Sequence, residues 1–251
     1  MEKIKISVEN VNKCFNKKIK GQEVYALDIV NFTVKQGEFF CILGPSGCGK
    51  STLLNVMAGF ERPTNGKVLI NGQEVLEPNP KYVTMFQDNA LFAWRSVIDN
   101  VAYGLEIQGI EENQRKSIAM KYIRLVGLLG FEDKHPSELS GGMKQRVQLA
   151  RTLAVNPDII FMDEPFGALD PITRDKLQEE LIRIWQEEKK TIVFVTHNVS
   201  EAVALADRVA IMSSSPGSIR KIIDINIQRP RVKFSSEFLR LEEEIFEEFD
   251  K

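Results

Sequence analysis

The sequence predicts an α/β fold built on a mainly parallel sheet. Short apolar runs at 4–8, 39–43, 68–70, 83–86, 159–162, 192–196 and 208–212 read as strands, several of them apolar enough for burial on both faces. Between them, 50–59, 111–126, 141–155, 171–187 and 200–205 carry helical periodicity. Strands that alternate with helices argue for a parallel sheet covered by helices. The stretch from about 88 to 156 carries almost no strand signal and reads as a helical insertion between two parts of the sheet. After Pro230 the composition changes: 237–251 holds seven acidic and two basic residues, with Phe238, Leu241, Ile245 and Phe249 at three- to four-residue spacing. That spacing predicts a short amphipathic helix that docks and solubilises the end of the chain.

Bulk properties remove several classes of function. The chain has 251 residues and a formal net charge of -2 from 33 basic and 35 acidic residues, so it lacks the basic excess of a nucleic-acid binder. With 43% hydrophobic and 27% charged residues, it has the composition of a soluble globular protein. No run approaches the ~18 apolar residues that span a bilayer, so any membrane role is expected to come through a partner. The first six residues alternate polar and apolar, which suits a strand and not a secretory leader. Cys14, Cys41 and Cys48 cannot all pair within one chain and read as reduced thiols.

Gly44-Pro45-Ser46-Gly47-Cys48-Gly49-Lys50-Ser51-Thr52 fits the phosphate-loop pattern G-x-x-x-x-G-K-[ST], with an apolar run before it and helical character after it. Glycines let backbone N–H groups converge on an anion, and the following helix adds its positive end. Lys50 is expected to bridge β- and γ-phosphates, and the Ser51 hydroxyl to ligate Mg²⁺. A nucleoside triphosphate is therefore the expected ligand. Because Cys48 lies inside this loop, a thiol reagent is expected to inactivate the chain and ATP to protect it.

The run at 159–162 ends in Asp163 and Glu164. Alone, an acidic pair after a strand serves equally well as a helix cap. Beside a phosphate loop, Asp163 is placed to hold the Mg²⁺ shell and Glu164 to orient and deprotonate the attacking water. Guanine recognition usually needs Asn-Lys-x-Asp. The nearest approach, Asn12-Lys13-Cys14-Phe15, lacks the aspartate and precedes the loop.

Leu139-Ser140-Gly141-Gly142-Met143-Lys144-Gln145-Arg146 offers Ser140 as a helix N-cap, followed by two glycines that expose backbone donors. The two glycines make a second anion site that carries no lysine of its own. Two phosphate sensors far apart in one chain make sense if two chains meet head to tail across the nucleotide.

This segment resembles the signature of the ABC ATPases, and other motifs follow in that family's order. The resemblance runs from about residue 4 to residue 230. It implies a P-loop NTPase (RecA-like) core with a mainly parallel sheet, an N-terminal antiparallel β region and an inserted helical subdomain. The ATPase domain would cover 1–230, with the core at 1–87 and 157–230, the helical subdomain at about 88–156, and an acidic tail at 231–251. Phe15 matches the aromatic that stacks on adenine, although alone it would read as a core or edge aromatic. Gln87 matches the glutamine that touches Mg²⁺ and water and senses the membrane partner. Asp170, in Ala168-Leu169-Asp170, matches the loop linking two active sites, and His197 the histidine that contacts the γ-phosphate.

The reaction so implied is ATP hydrolysis. Ser140, Gly141 and Gly142 of one copy in a homodimer would close the site of the other. Integral membrane permease subunits and, indirectly, an extracytoplasmic solute-binding protein would be partners, at the cytoplasmic face of a bacterial cell membrane. Within the family, residues 163–170 (Asp-Glu-Pro-Phe-Gly-Ala-Leu-Asp), Ser215-Pro216-Gly217-Ser218-Ile219 and Leu91-Phe92-Ala93-Trp94 resemble the nitrate/sulfonate/taurine (bicarbonate) importer branch, although Ala93 stands where proline is usual. Soluble ABC ATPases acting on DNA or ribosomes are the alternative. They usually carry a long coiled-coil insertion or two cassettes in one chain, and neither feature is seen here. A non-hydrolysing module would lack Glu164 or His197.

Overall fold

Residues 3–16, 23–88 and 90–249 are described by the computed structural model. In chain order the strands and helices are β1 (Ile4–Phe15), β2 (Val24–Lys35), β3 (Phe39–Leu43), α1 (Lys50–Ala58), β4 (Asn65–Ile70), β5 (Gln73–Glu74), β6 (Tyr82–Met85), α2 (Val97–Ile107), α3 (Glu112–Leu125), α4 (Gly141–Ala154), β7 (Ile159–Asp163), α5 (Pro171–Glu188), β8 (Thr191–Thr196), α6 (Val199–Leu205), β9 (Arg208–Met212), β10 (Ile219–Asp224) and α7 (Ser236–Phe249). The chain divides into two units. The first comprises residues up to Tyr82 together with those from Lys189 on, and the second comprises Val83–Glu188.

In the first unit, β2, β1, β4 and β5 form an antiparallel sheet in that order. A second set runs β10-β9-β3-β8, with β3 parallel to both β8 and β9 and β10 antiparallel at the edge. Every residue of β3 and of β8 is buried, as parallel strands covered on both faces require. Phe39 meets Phe194 across them, ring centroids 5.9 Å apart, and Phe40 stacks on Phe32 at 5.1 Å. Each such side chain stabilises the fold by about 1.5–3 kcal/mol, so this pairing fixes where the loop after β3 begins.

The second unit holds β6 and β7 as neighbours, with α2, α3, α4 and α5. Its β7 is buried throughout. Helix α2 begins at Ser96, whose hydroxyl accepts the Asp99 N–H at 3.3 Å. A Cβ on Gly104 would collide with Val155 Cγ1, so α2 approaches the end of α4 closely and needs a glycine there.

Four elements exceed what the hydrophobic pattern showed. Strand β1 runs on to Phe15, β2 and β10 were not legible as strands, and α2 was legible only as a helical region. Both β2 and β10 are half-exposed, so their apolar residues alternate weakly. The amphipathic segment near the C-terminus is α7, with Phe238 and Ile245 buried. Among the described residues no helix is long and apolar enough to cross a membrane.

Candidate functional site

In the first unit, β3 ends at Leu43 and α1 starts at Lys50, leaving 44–49 as the loop between them. Gly47 and Gly49 take φ of 78° and 99°, the left-handed region that side chains resist. A Cβ on Gly49 would stand 2.5 Å from the Ala26 carbonyl oxygen in β2, whereas one on Gly47 would meet nothing within 4 Å. Lys50 is 5% exposed, and its ammonium is held by the carbonyls of Gly44 at 2.8 Å and Pro45 at 2.9 Å, which sets the charge inside the loop. Ser46 and Ser51 are exposed, and Thr52 is half-buried. The expectation of a reactive thiol in the loop needs correction. Cys48 is 1% exposed, its Sγ would lie 2.6 Å from a Cβ on Gly44, and burial pushes its pKa above the ordinary thiol value. Cys48 contributes backbone to the loop and packs its side chain behind it.

His197 follows β8 and is exposed. Leu43 pairs with Thr196, and the Gly44 N–H donates to the Thr196 carbonyl at 3.4 Å. The sheet therefore brings His197 and the start of the loop together. Phe15 ends β1 and is half-buried, with the Lys13 ammonium 4.8 Å from its ring centroid. Lys13 is in turn held by Glu61 at 2.7 Å and the Arg62 carbonyl at 2.8 Å. The cation covers one face of the ring.

In the second unit, Asp163 closes β7, 7% exposed, and Glu164 follows with φ of 47°, a conformation uncommon outside glycine and concentrated at functional positions. Gln87 lies two residues past β6 and is exposed. Ser140 caps α4 by accepting the Met143 N–H at 3.3 Å, and Gly141 is exposed beside it. A Cβ on Gly142 would come within 3.3 Å of Leu169 and 3.4 Å of the Ala168 carbonyl. Asp170 accepts the Thr173 N–H at 3.0 Å, a bond that holds its carboxyl below the usual range.

Helix α4 is what joins these parts of the second unit. Gln145, 4% exposed, donates to the Glu164 carbonyl at 3.3 Å and accepts the Ala168 N–H at 3.1 Å. Gln148, 2% exposed and one turn on, donates to the Phe86 carbonyl at 2.8 Å and reaches the Asp88 carbonyl at 3.5 Å, on either side of Gln87. Asn100 makes a third such brace. Its amide bonds the carbonyls of Phe92, Arg95 and Ser96 at 2.9–3.1 Å and accepts the Phe92 N–H at 2.9 Å. None of these amides was singled out from the sequence. Their one signal was a polar residue on an apolar stripe of a helix, which does not reveal its partner.

Among the described residues no cluster of three or more His, Cys, Asp or Glu could hold a metal by itself. Of the residues expected to hold Mg²⁺, Ser51 belongs to the first unit and Gln87 and Asp163 to the second, and each offers a hard oxygen donor of the kind that Mg²⁺ takes.

The phosphate loop, the acidic pair after a buried strand and the capped glycine pair define an ATP-binding cassette. The family model for ABC transporters matches residues 27–167, and the chain belongs to that family as an ATPase. It is 52% identical to an uncharacterized ABC transporter ATP-binding protein of Methanocaldococcus jannaschii, over 97% of this chain and 90% of that one. It is 40% identical to an aliphatic sulfonates import ATP-binding protein of Bacillus cereus, over 98% and 96% respectively. Against a nitrate import ATP-binding protein of Synechococcus elongatus the identity is 44%, over 82% and 76%. Among solved structures, an ATP-binding cassette in a dimeric post-hydrolysis state bound to ADP and Pi superposes with a TM-score of 0.81 at 31% identity, covering 89% of this chain and all of that one.

Proposed function

We propose that the chain is the ATP-hydrolysing subunit of an importer for small sulfonate- or nitrate-like solutes. Two copies would meet head to tail around ATP at the cytoplasmic face of the membrane. Membrane permease subunits would carry the solute, supplied by an extracytoplasmic solute-binding protein. The observation that carries this reading is the loop 44–52, where left-handed glycines and an inward-held Lys50 shape a cradle for a polyphosphate. The similarity to sulfonate and nitrate import proteins supports the solute class.

In the proposed reaction the N–H groups of 46–52 and the Lys50 ammonium hold the β- and γ-phosphates, while Phe15 stacks on the adenine. Ser51, Asp163 and Gln87 would hold a Mg²⁺ ion, which would supply charge neutralisation to the phosphate oxygens. Glu164 holds the attacking water and takes its proton as the new P–O bond forms and the bond to ADP breaks. His197 fixes the γ-phosphate, and Ser140, Gly141 and Gly142 of the second copy close over it. Asp170 links the two copies. Hydrolysis removes the group both copies grip, so the pair opens.

Phosphate release by the purified chain, followed against protein concentration beside a Glu164→Gln variant, tests this. The expected result is a rate rising faster than linearly, lowered by about 10²-fold or more in the variant, with the variant dimeric when ATP is present. A strictly linear rate and a variant that stays monomeric with ATP would sink the shared site.

A further inference from the structure

His197 lies between two residues that are tied to one buried carboxylate. The Thr196 hydroxyl donates to Glu201 in α6, with 2.7 Å between Oγ1 and Oε2. The same hydroxyl oxygen accepts the Asn198 N–H at 3.0 Å, and the Asn198 side chain accepts the Glu201 N–H at 3.2 Å. These three bonds close a ring around the His197 backbone and leave its side chain exposed. Thr196 is 2% exposed and Glu201 8%. The Thr196 carbonyl also accepts the N–H of Gly44, the first residue of the phosphate loop. Burial first, then the charge of Glu201, push the Cys41 thiol in β3 well above its ordinary value.

Burying a carboxylate costs free energy that an apolar residue at the same place would not. The cap of α6 does not require it, since the Asn198 side chain already supplies that bond. What the carboxylate adds is a fixed torsion on each side of His197, because it anchors Thr196 directly and Asn198 through the shared hydroxyl.

We propose that Glu201 is a positioning residue for His197, holding Thr196 and Asn198 so that the imidazole is presented at one angle beside the Gly44 end of the phosphate loop. The inference rests on the proposed contact between His197 and the γ-phosphate. It assigns a role to an acidic residue outside every motif that the sequence displays.

The chain has two histidines, His135 and His197, so two imidazole signals are expected in a nitrogen-edited NMR spectrum, and a His135→Gln variant assigns them. In Glu201→Ala the His197 signal should move or split while that of His135 stays. The kcat for ATP hydrolysis should fall ten- to a hundredfold, a range that small misplacements of a catalytic group produce, with the KM for ATP within about twofold. Glu201→Gln still offers an oxygen to the Thr196 hydroxyl and should keep the signal and most of the rate. Thr196→Val should reproduce Glu201→Ala, and carries the test if the alanine variant does not fold. In a His197→Ala background, Glu201→Ala should cause no further loss. An unmoved His197 signal together with native kcat in Glu201→Ala and Thr196→Val would overturn the inference. So would an undiminished effect of Glu201→Ala in the His197→Ala background. A His197→Ala chain that hydrolyses ATP at the native rate would instead remove the catalytic reading of His197, and the inference with it.

Discussion

The loop after β3 and the loop after β7 both leave a fully buried strand, yet they are shaped by different means. Residues 44–52 are shaped by their own backbone: left-handed glycines, a helix start and a lysine folded onto the carbonyls of the same loop. Residues 164–170 are shaped from outside, by Gln145 on α4 and by the side of Gly142 that packs on Ala168 and Leu169. A loop of the first kind announces itself in the sequence because glycine spacing is its cause. The second kind depends on a hydrogen bond from a residue about twenty positions away, and that is not visible locally.

The largest test of this contrast concerns the thiols. Cys14, Cys41 and Cys48 are all buried, so a small alkylating reagent at pH 8 should modify the native chain about a hundredfold more slowly than the urea-unfolded chain. Burial holds Cys48 above the usual thiol pKa, so only a small fraction of it is thiolate at pH 8, which slows the native reaction further. Rapid labelling of Cys48 blocked by ATP would show that the side chain, and not only the backbone, faces the cradle.

Next comes a pair of glycines within one loop. Gly49→Ala meets both the left-handed penalty and the Ala26 carbonyl, whereas Gly47→Ala meets the penalty alone, about 1–2 kcal/mol. Calorimetric titration with ATP should therefore show a greater loss of affinity in Gly49→Ala, with Gly47→Ala down about tenfold. Equal losses would mean that the approach of β2 to the loop is unimportant.

On the side-shaped loop, Gln145→Ala leaves the Glu164 carbonyl and the Ala168 N–H without that partner and should destabilise the chain by about 1–3 kcal/mol in urea unfolding. It should also lower phosphate release at saturating ATP. A variant with native stability and native rate would show that the loop shapes itself.

The smallest effect is electrostatic and sits at the base of β3. Burial raises the Glu38 pKa above its ordinary 4.5, against the Lys35 N–H and Arg208, which lower it. The folded state therefore keeps a proton that the unfolded state loses. Between pH 4.5 and the folded value, stability falls as pH rises, and below that window the difference disappears. Urea midpoints at pH 4, 5.5 and 7 should show a flatter profile in Glu38→Gln, and an unchanged slope would assign the pH dependence to other groups.

The fold was legible where burial is two-sided and the loops are backbone-driven. The apolar run at 39–43 is β3, and 159–162 with Asp163 is β7, because a strand covered on both faces has no polar alternation to confuse it. The N-cap at Ser140 was legible too, since a cap is decided within four residues. Strands β2 and β10 were not, because their strand character comes from pairing with β1 and β9 and only weakly from their own pattern.

The sequence by itself determined the class of the protein. Glycine, lysine and carboxylate positions constrain backbone shape and charge locally, and those constraints identify an ATP-binding cassette. Only the tertiary structure decided which polar side chains hold the machinery still. Gln145, Gln148, Asn100 and Glu201 look like ordinary helix residues until the fold removes water from around them. Each then needs a partner, and the partner is chosen by chain segments that only the packed structure brings alongside.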